Sequence, residues 1–240
     1  ARAVIALRSA KVSAAEMLDK RSLASVGAGG IEGLTAVLTQ TDACDQHQLA
    51  DNVAEITAIL KGFDTYGEVT FTTDPDEYGK YWAIRSGIFP TVGGMRKPGT
   101  TCLIEDVAFH IEDLPEAVKD LSELLERHGY DDSCIYGHAL EGNFHFIVNQ
   151  SFSTDSEAAR YKAMMEDVVE FVVKKYDGSL KAEHGTGRNM APYVEYEWGT
   201  KAFEVMKRLK KILDPQGILR PGVIFNDDPE CCFENFKALP

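Results

Sequence analysis

The spacing of apolar and polar positions divides the chain into short period-two runs and longer helical repeats. Residues 2–9 read as the end of a helix, and 12–19 as a strand that turns into a helix at Lys20. The β-branched run 34–40 reads as a strand. Leu49, Val53, Ile56, Ile59 and Leu60 recur at helical spacing over 48–60, and Gly62 ends that helix. Alternation over 68–73 predicts another strand. Asp74-Pro75 then supplies an N-cap with proline at the first helical position, opening a helix through Tyr81, Trp82 and Ile84 to Arg85. The Gly/Pro-rich stretch 87–99 reads as a loop, 101–111 as a strand, and 113–129 as a capped helix closed by His128-Gly129. Two strands, 132–138 and 143–149, follow. The amphipathic helix 155–176 places Met164, Val168, Phe171 and Val172 on one face. A last helix spans 197–213, broken by Asp214-Pro215-Gln216-Gly217, and the tail from Arg220 is irregular.

Strands alternate with helices, which alone would suggest a parallel sheet. The tight connection at 138–145 instead points to a hairpin, and no Gly-rich strand-to-helix turn is present. The expected class is therefore α+β, a largely antiparallel sheet covered by helices. Gly27-Ala28-Gly29-Gly30 reads as a plain loop, because no Lys-Ser/Thr follows it.

The 240 residues are 44% hydrophobic, enough for a substantial core, and carry a net charge of −13. That acidity excludes nucleic acid as the expected partner, since phosphate binding needs clustered Lys and Arg. No apolar run is long enough to span a membrane. Five scattered cysteines without a CxxC pair read as reduced thiols, which places the protein in the cytoplasm.

The candidate chemistry lies in two segments, Gly137-His138-Ala139-Leu140-Glu141-Gly142-Asn143-Phe144-His145 and Glu183-His184-Gly185-Thr186-Gly187-Arg188-Asn189. If His138 and His145 sit on the two arms of a hairpin turning at Glu141-Gly142-Asn143, both imidazoles can converge on one point. Glu183 from a third segment would complete a two-His, one-carboxylate set. Such a set suits a divalent metal with positions left open for substrate. His184, next in sequence, could then serve as a base.

The His138-x6-His145 spacing around Gly142-Asn143 resembles the Gly-His-x-Gly-Asp-Gly-Asn-x-His motif of FAD-linked D-2-hydroxy-acid dehydrogenases, in the vanillyl-alcohol-oxidase superfamily. Glu183-His184-Gly185-Thr186-Gly187 resembles that family's Glu-His-Gly-x-Gly, and Asp214-Pro215-x-Gly217-Ile218-Leu219-x-Pro221-Gly222 its C-terminal signature. Leu140, Glu141 and Arg220 depart from the family's Gly, Asp and Asn. The resemblance implies a ferredoxin-like C-terminal substrate and metal domain over 1–222. It also implies an FAD-binding domain outside this sequence and a linker over 223–240 leading to an iron–sulphur (4Fe-4S) domain. His138, His145 and Glu183 would then hold a divalent Zn, Mn or Fe ion. His184 would take the proton of the substrate hydroxyl as hydride passes to FAD. Arg85 and Asn143 would bind substrate, with Arg96 or Lys97 as a second anchor, and Asn189 and Arg220 would meet the cofactor. The implied substrate is a small 2-hydroxy acid, D-lactate first, and the electron acceptor a quinone, cytochrome or iron–sulphur module. The implied location is the cytoplasm or the inner face of a membrane. Two alternatives stay open: a metal-independent alcohol oxidase of the same superfamily, and a non-catalytic ferredoxin-like module that binds a metal or small acid.

Overall fold

The computed structural model describes residues 1–27 and 33–236. In chain order the elements are α1 (Arg2–Leu7), β1 (Ala14–Leu18), α2 (Lys20–Ser25), β2 (Ala36–Gln40), α3 (Gln46–Leu60) and α4 (Pro75–Met95). They continue with β3 (Thr101–Ala108), α5 (Leu114–Arg127), β4 (Cys134–His138), β5 (Asn143–Gln150), α6 (Asp155–Glu170) and α7 (Val194–Leu213). The five strands form one sheet in the order β2-β1-β4-β5-β3, and every neighbouring pair is antiparallel. The α+β class expected from the sequence is the class observed.

Successive side chains of a strand point to opposite faces, and the two faces of this sheet have different fates. Met17, Val107, Ile135, Phe144, Phe146 and Val148 join α1, α5 and α6 in the larger core. On the other face, Leu18, Cys134, Tyr136 and Ile147 pack against Leu23 of α2 and Ile88 and Val92 of α4. That second core covers one end of the face only. At the other end stand Glu16, Asp106, His138, Asn143 and His145.

Several expectations need correction. The helix expected to end at Arg85 runs on to Met95, through the stretch 87–99 read as a loop and through Pro90. An interior proline costs about 3 kcal/mol. Burying Ile88 and Val92 on the sheet contributes about 1.5–3 kcal/mol each, which together offsets that cost. The strand expected at 68–73 does not form; the segment has no regular secondary structure and pairs with none of the five strands. Glu68, Thr70 and Thr73 are exposed, while Val69 and Phe71, the apolar side of the alternation, are half-buried without joining the sheet. The strand expected over 101–111 stops at Ala108, and a single 3-10 turn, Ile111–Asp113, leads into α5. The last helix starts at Val194 rather than 197 and is interrupted at Gly199, whose φ of 76° and ψ of 157° are non-helical. Of the loop read at Gly27-Ala28-Gly29-Gly30, residues 28–30 lie outside the described residues.

The tail after α7 folds back on the body: the Phe236 ring stacks on Phe152 at 4.0 Å, and Phe233 packs edge-on against Tyr161 of α6. Residues 237–240 of the expected linker lie outside the described residues. Among the described residues, no helix is long and apolar enough to cross a membrane.

Candidate metal and active site

Sheet register assembles the site. Glu16 on β1 lies directly opposite His138 on β4, Tyr136 on β4 opposite His145 on β5, and His145 opposite Asp106 on β3. Four adjacent strands thus present a row of polar side chains on one face. The β4–β5 hairpin closes through a single turn, Ala139–Glu141, and Gly142. Gly142 has φ of 72°, and a Cβ there would stand 2.2 Å from the Phe109 carbonyl oxygen, so the turn admits only glycine.

The Glu183-His184 segment reaches this face by passing along the free edge of β3. Ser179 exchanges two backbone hydrogen bonds with Ala108 at 2.9 Å. The chain then crosses to the polar face, where Asp106 Oδ2 accepts the backbone N–H groups of Glu183 (2.7 Å) and His184 (2.8 Å). Asp106 Oδ1 accepts the Asn143 side-chain amide at 2.6 Å. Asp106 is fully buried. Burial alone would raise its carboxyl, but the His145 side chain, these two N–H groups and the Asn143 amide outweigh it and hold the carboxyl well below the usual range. On the far side of β3, Glu105 receives Lys181 Nζ (2.7 Å) and the Asn189 amide (2.8 Å), so the loop is tied down from both faces of one strand.

Held in this way, Glu183 Oε1 lies 3.1 Å from His138 Nε2 and 3.1 Å from His145 Nε2. The His138 and His145 rings meet edge-to-face, and the His184 ring stacks on His145 at 4.7 Å with its plane 4° from parallel. His184 Nε2 is 3.9 Å from the same Glu183 oxygen. The His145 side chain is 4% exposed while Glu183 is 47% exposed, so the cluster opens outward from a buried floor. Donor atoms of Asp106, His145, Glu183 and His184 fall within 4.8 Å of one another. Asp106 is poorly placed as a ligand, because its oxygens are already committed to three N–H donors. His145 Nδ1, 3.4 Å from Asp106 Oδ1, lacks a well-aligned hydrogen-bond partner. The remaining donors of that group, the imidazoles of His145 and His184 and the Glu183 carboxylate, are of the kinds a divalent cation takes; His138 Nε2, outside that group, approaches the same Glu183 oxygen at 3.1 Å and offers a second imidazole beside His145 in place of His184.

An outer layer orients His138. Its Nδ1 meets Glu16 Oε1 at 2.5 Å, and Glu16 Oε2 accepts Arg85 Nε–H at 2.6 Å. Glu16 is buried within β1; its own desolvation is outweighed by the hydrogen bonds from His138 and Arg85, which keep it ionised. The Glu16 bond in turn raises His138 above its ordinary value. With Nδ1–H directed at Glu16, Nε2 is the nitrogen left to face Glu183. The Arg85 guanidinium lies 4.6 Å over the Tyr136 ring, whose phenol burial pushes up to about 12 and so keeps neutral.

The structure therefore brings His138, His145, Glu183 and His184 together and sets Arg85 one carboxylate away. Asn143 is turned inward, its amide donated to Asp106 and to the Val107 carbonyl. Asn189 is tied to Glu105, which faces the opposite side of β3 from Asp106. Arg220 is exposed in the tail with φ of 46°. Arg96 is committed to the backbone oxygens of Thr100 and Gly93, and Lys97 is exposed. Sequence reasoning missed Glu16, Glu105 and Asp106. The available signal was a carboxylate inside an otherwise apolar strand, in Ala14-Ala15-Glu16-Met17-Leu18 and in Leu103-Ile104-Glu105-Asp106-Val107.

Residues 1–224 match the family "FAD linked oxidases, C-terminal domain". The chain is 30% identical to a mitochondrial D-lactate dehydrogenase (cytochrome) of Arabidopsis thaliana, over 93% of this chain and 39% of that protein. It is 28% identical to the glycolate oxidase subunit GlcD of Bacillus subtilis (strain 168), over 74% of this chain and 36% of the relative. The chain thus spans well under half the length of these curated relatives. Among solved structures, p-cresol methylhydroxylase with substrate bound superposes with a TM-score of 0.64 at 15% identity. That match covers 95% of this chain and 51% of the other, a likeness of fold.

Proposed function

The chain belongs to the FAD linked oxidases, C-terminal domain family, and we propose that it is the substrate- and metal-binding part of an FAD-dependent D-2-hydroxy-acid dehydrogenase that oxidises D-lactate to pyruvate. The observation that carries this reading is the convergence of His138 Nε2 and His145 Nε2 on one Glu183 oxygen, with His184 stacked alongside. The relatives named for D-lactate and glycolate support the substrate class.

His138, His145 and Glu183 would hold a divalent ion. When bound, that ion polarises the oxygens of a 2-hydroxy acid and lowers the pKa of its hydroxyl, and the flavin supplies the two-electron acceptor. His184, half-exposed beside the ligand set, accepts the hydroxyl proton. Arg85 spends its Nε–H on Glu16, and its terminal N–H groups serve as the fork for the substrate carboxylate. Asn143 acts chiefly by holding Asp106 and through it the Glu183-His184 loop. Residues 1–222 form this domain, and the tail from 223, whose Phe233 and Phe236 pack back on Tyr161 and Phe152, connects it to a further, electron-accepting module. The acceptor is a quinone, a cytochrome or an iron–sulphur centre; the relative named with cytochrome favours the second.

The test is elemental analysis of the purified protein alongside D-lactate-dependent dye reduction by the flavin-loaded enzyme. One divalent ion per chain, lost in His138→Ala together with turnover, is expected. Full turnover of metal-stripped protein would refute the reading.

A further inference from the structure

Arg85 reaches the site from a helix, whereas the histidines and carboxylates of the cluster come from one sheet and from the loop bonded to β3. Sheet register and the Asp106 latch fix those groups against one another. α4 lies over the sheet, outside its hydrogen-bond ladder. Where Arg85 stands relative to the cluster therefore depends on side-chain contacts between helix and sheet. Ile88 and Val92, one and two turns further along α4, are buried on the apolar half of the face. Arg85 reaches down over the polar half, its side chain 15% exposed.

Two contacts meet it there, on adjacent strands. Its Nε–H is donated to Glu16 of β1 at 2.6 Å, and its guanidinium lies over the Tyr136 ring of β4, 4.6 Å from the centroid. One hydrogen bond fixes a point of the planar cation and leaves its plane free to turn. The ring supplies the second constraint, because a guanidinium stacks on an aromatic face and is drawn to its quadrupole. Tyr136 stands at the border between the two halves of the face. It lies opposite Leu18 of β1, in the second core, and opposite His145 of β5, in the cluster. It is 2% exposed and shares the second core with Leu18, Ile88 and Ile147. A ring held in this way sets the plane of the cation instead of following it. An aliphatic side chain could fill the same core position, but it would present no π face to Arg85.

We propose that Tyr136 is a positioning residue for substrate: its ring holds the Arg85 guanidinium in the plane in which the terminal N–H groups meet the carboxylate of a small 2-hydroxy acid. The proposal rests on the flavoenzyme reading above. Because Tyr136 acts through Arg85, weakening its hold should lower affinity for the carboxylate and leave the chemical step alone.

The test keeps the shape of the ring and varies its charge distribution. In the flavin-loaded polypeptide expressed from its whole reading frame, Tyr136 is replaced by phenylalanine and by a trifluorinated phenylalanine, each with Arg85 and with Arg85→Gln. Fluorine draws electron density from the ring face and weakens its hold on a cation, while packing changes little. Calorimetry reads Kd for pyruvate, and steady-state kinetics reads KM and kcat for D-lactate. Elemental analysis and circular dichroism read metal content and folding. Tyr136→Phe should hold wild-type affinity. Fluorination should raise the pyruvate Kd and the D-lactate KM about 3- to 30-fold, with kcat within about twofold. In Arg85→Gln the same series should be flat, because the ring has lost the cation it holds. Affinity that ignores fluorination in the Arg85 protein, or follows it equally in Arg85→Gln, overturns the proposal while leaving the flavoenzyme reading in place. So does loss of metal across the series, which would assign the ring to His145, whose centroid is 5.5 Å away. A wild-type polypeptide that turns over no D-lactate overturns that reading and the proposal with it.

Discussion

Replacing Asp106 by Asn tests whether one buried carboxylate holds the site loop in place. The side chain is almost the same size and sits in a fully buried position, so packing is nearly unchanged. The difference is chemical. The two oxygens now accept the backbone N–H groups of Glu183 and His184 and the amide of Asn143, at 2.6–2.8 Å. An amide offers one acceptor oxygen and one NH2 group. If the oxygen keeps the two backbone donors, the NH2 faces Asn143; if the side chain flips, it faces the loop. Each buried donor left facing another costs about 1–3 kcal/mol, and a lost charge-assisted bond about 1.5–3 kcal/mol. The loop can lift away instead, which caps the loss. We expect about 2–4 kcal/mol of destabilisation if the loop stays. If it lifts, we expect a smaller loss with metal affinity down about 10- to 100-fold. The wild-type carboxyl titrates below its ordinary value. Its stabilisation is therefore complete above the ordinary Asp pKa of about 3.9 and is lost only as pH falls towards the depressed value. The gap between wild type and variant should be flat from about pH 5 to 8 and close on further acidification. Urea unfolding across that range and calorimetric metal titration read both quantities. Unchanged stability and unchanged metal affinity in Asp106→Asn would refute the latch.

Three further outcomes follow from the same geometry. Glu16→Gln removes the bond that raises His138, so the pH below which metal uptake fails should move down; affinity at high pH should also drop about 10- to 100-fold because ring orientation is lost, both measurable by metal titration between about pH 5.5 and 8. His184→Ala should lower kcat about 10²- to 10⁴-fold with metal content unchanged, which steady-state kinetics paired with elemental analysis would show. Gly142→Ala forces a Cβ onto the Phe109 carbonyl at positive φ and should cost about 2–5 kcal/mol. In thermal unfolding that is a fall of roughly 5–15 °C in Tm.

The convergence of the candidate residues was legible where its logic is local. Two histidines on the arms of one tight hairpin, and a Glu-His pair in a glycine-rich loop, announce themselves by spacing. Glu16 and Asp106 were not legible, because what makes them part of the site is strand register. Nothing in Ala14-Ala15-Glu16-Met17-Leu18 says that Glu16 will lie opposite His138, and an acid in a strand ordinarily marks a solvated face. The same non-locality explains α4. Pro90 and the neighbouring glycines argue for a loop, and only burial of Ile88 and Val92 on a distant sheet decides otherwise. The alternation at 68–73 failed in the opposite sense, a strand-like pattern that joins no sheet.

That dependence on register has a consequence for how the chain reaches its native state. Sliding β4 by one residue against β1 or β5 would turn His138 and Tyr136 into the larger core and expel Ile135 from it. His138 and His145 would no longer share a face, and no ion could draw on both. On the proposed ligand set, a cation that needs both imidazoles and Glu183 would bind only the correctly aligned sheet and, by mass action, would enrich it over its shifted competitors. Metal availability during synthesis would then affect the yield of aligned protein as well as the turnover of finished enzyme.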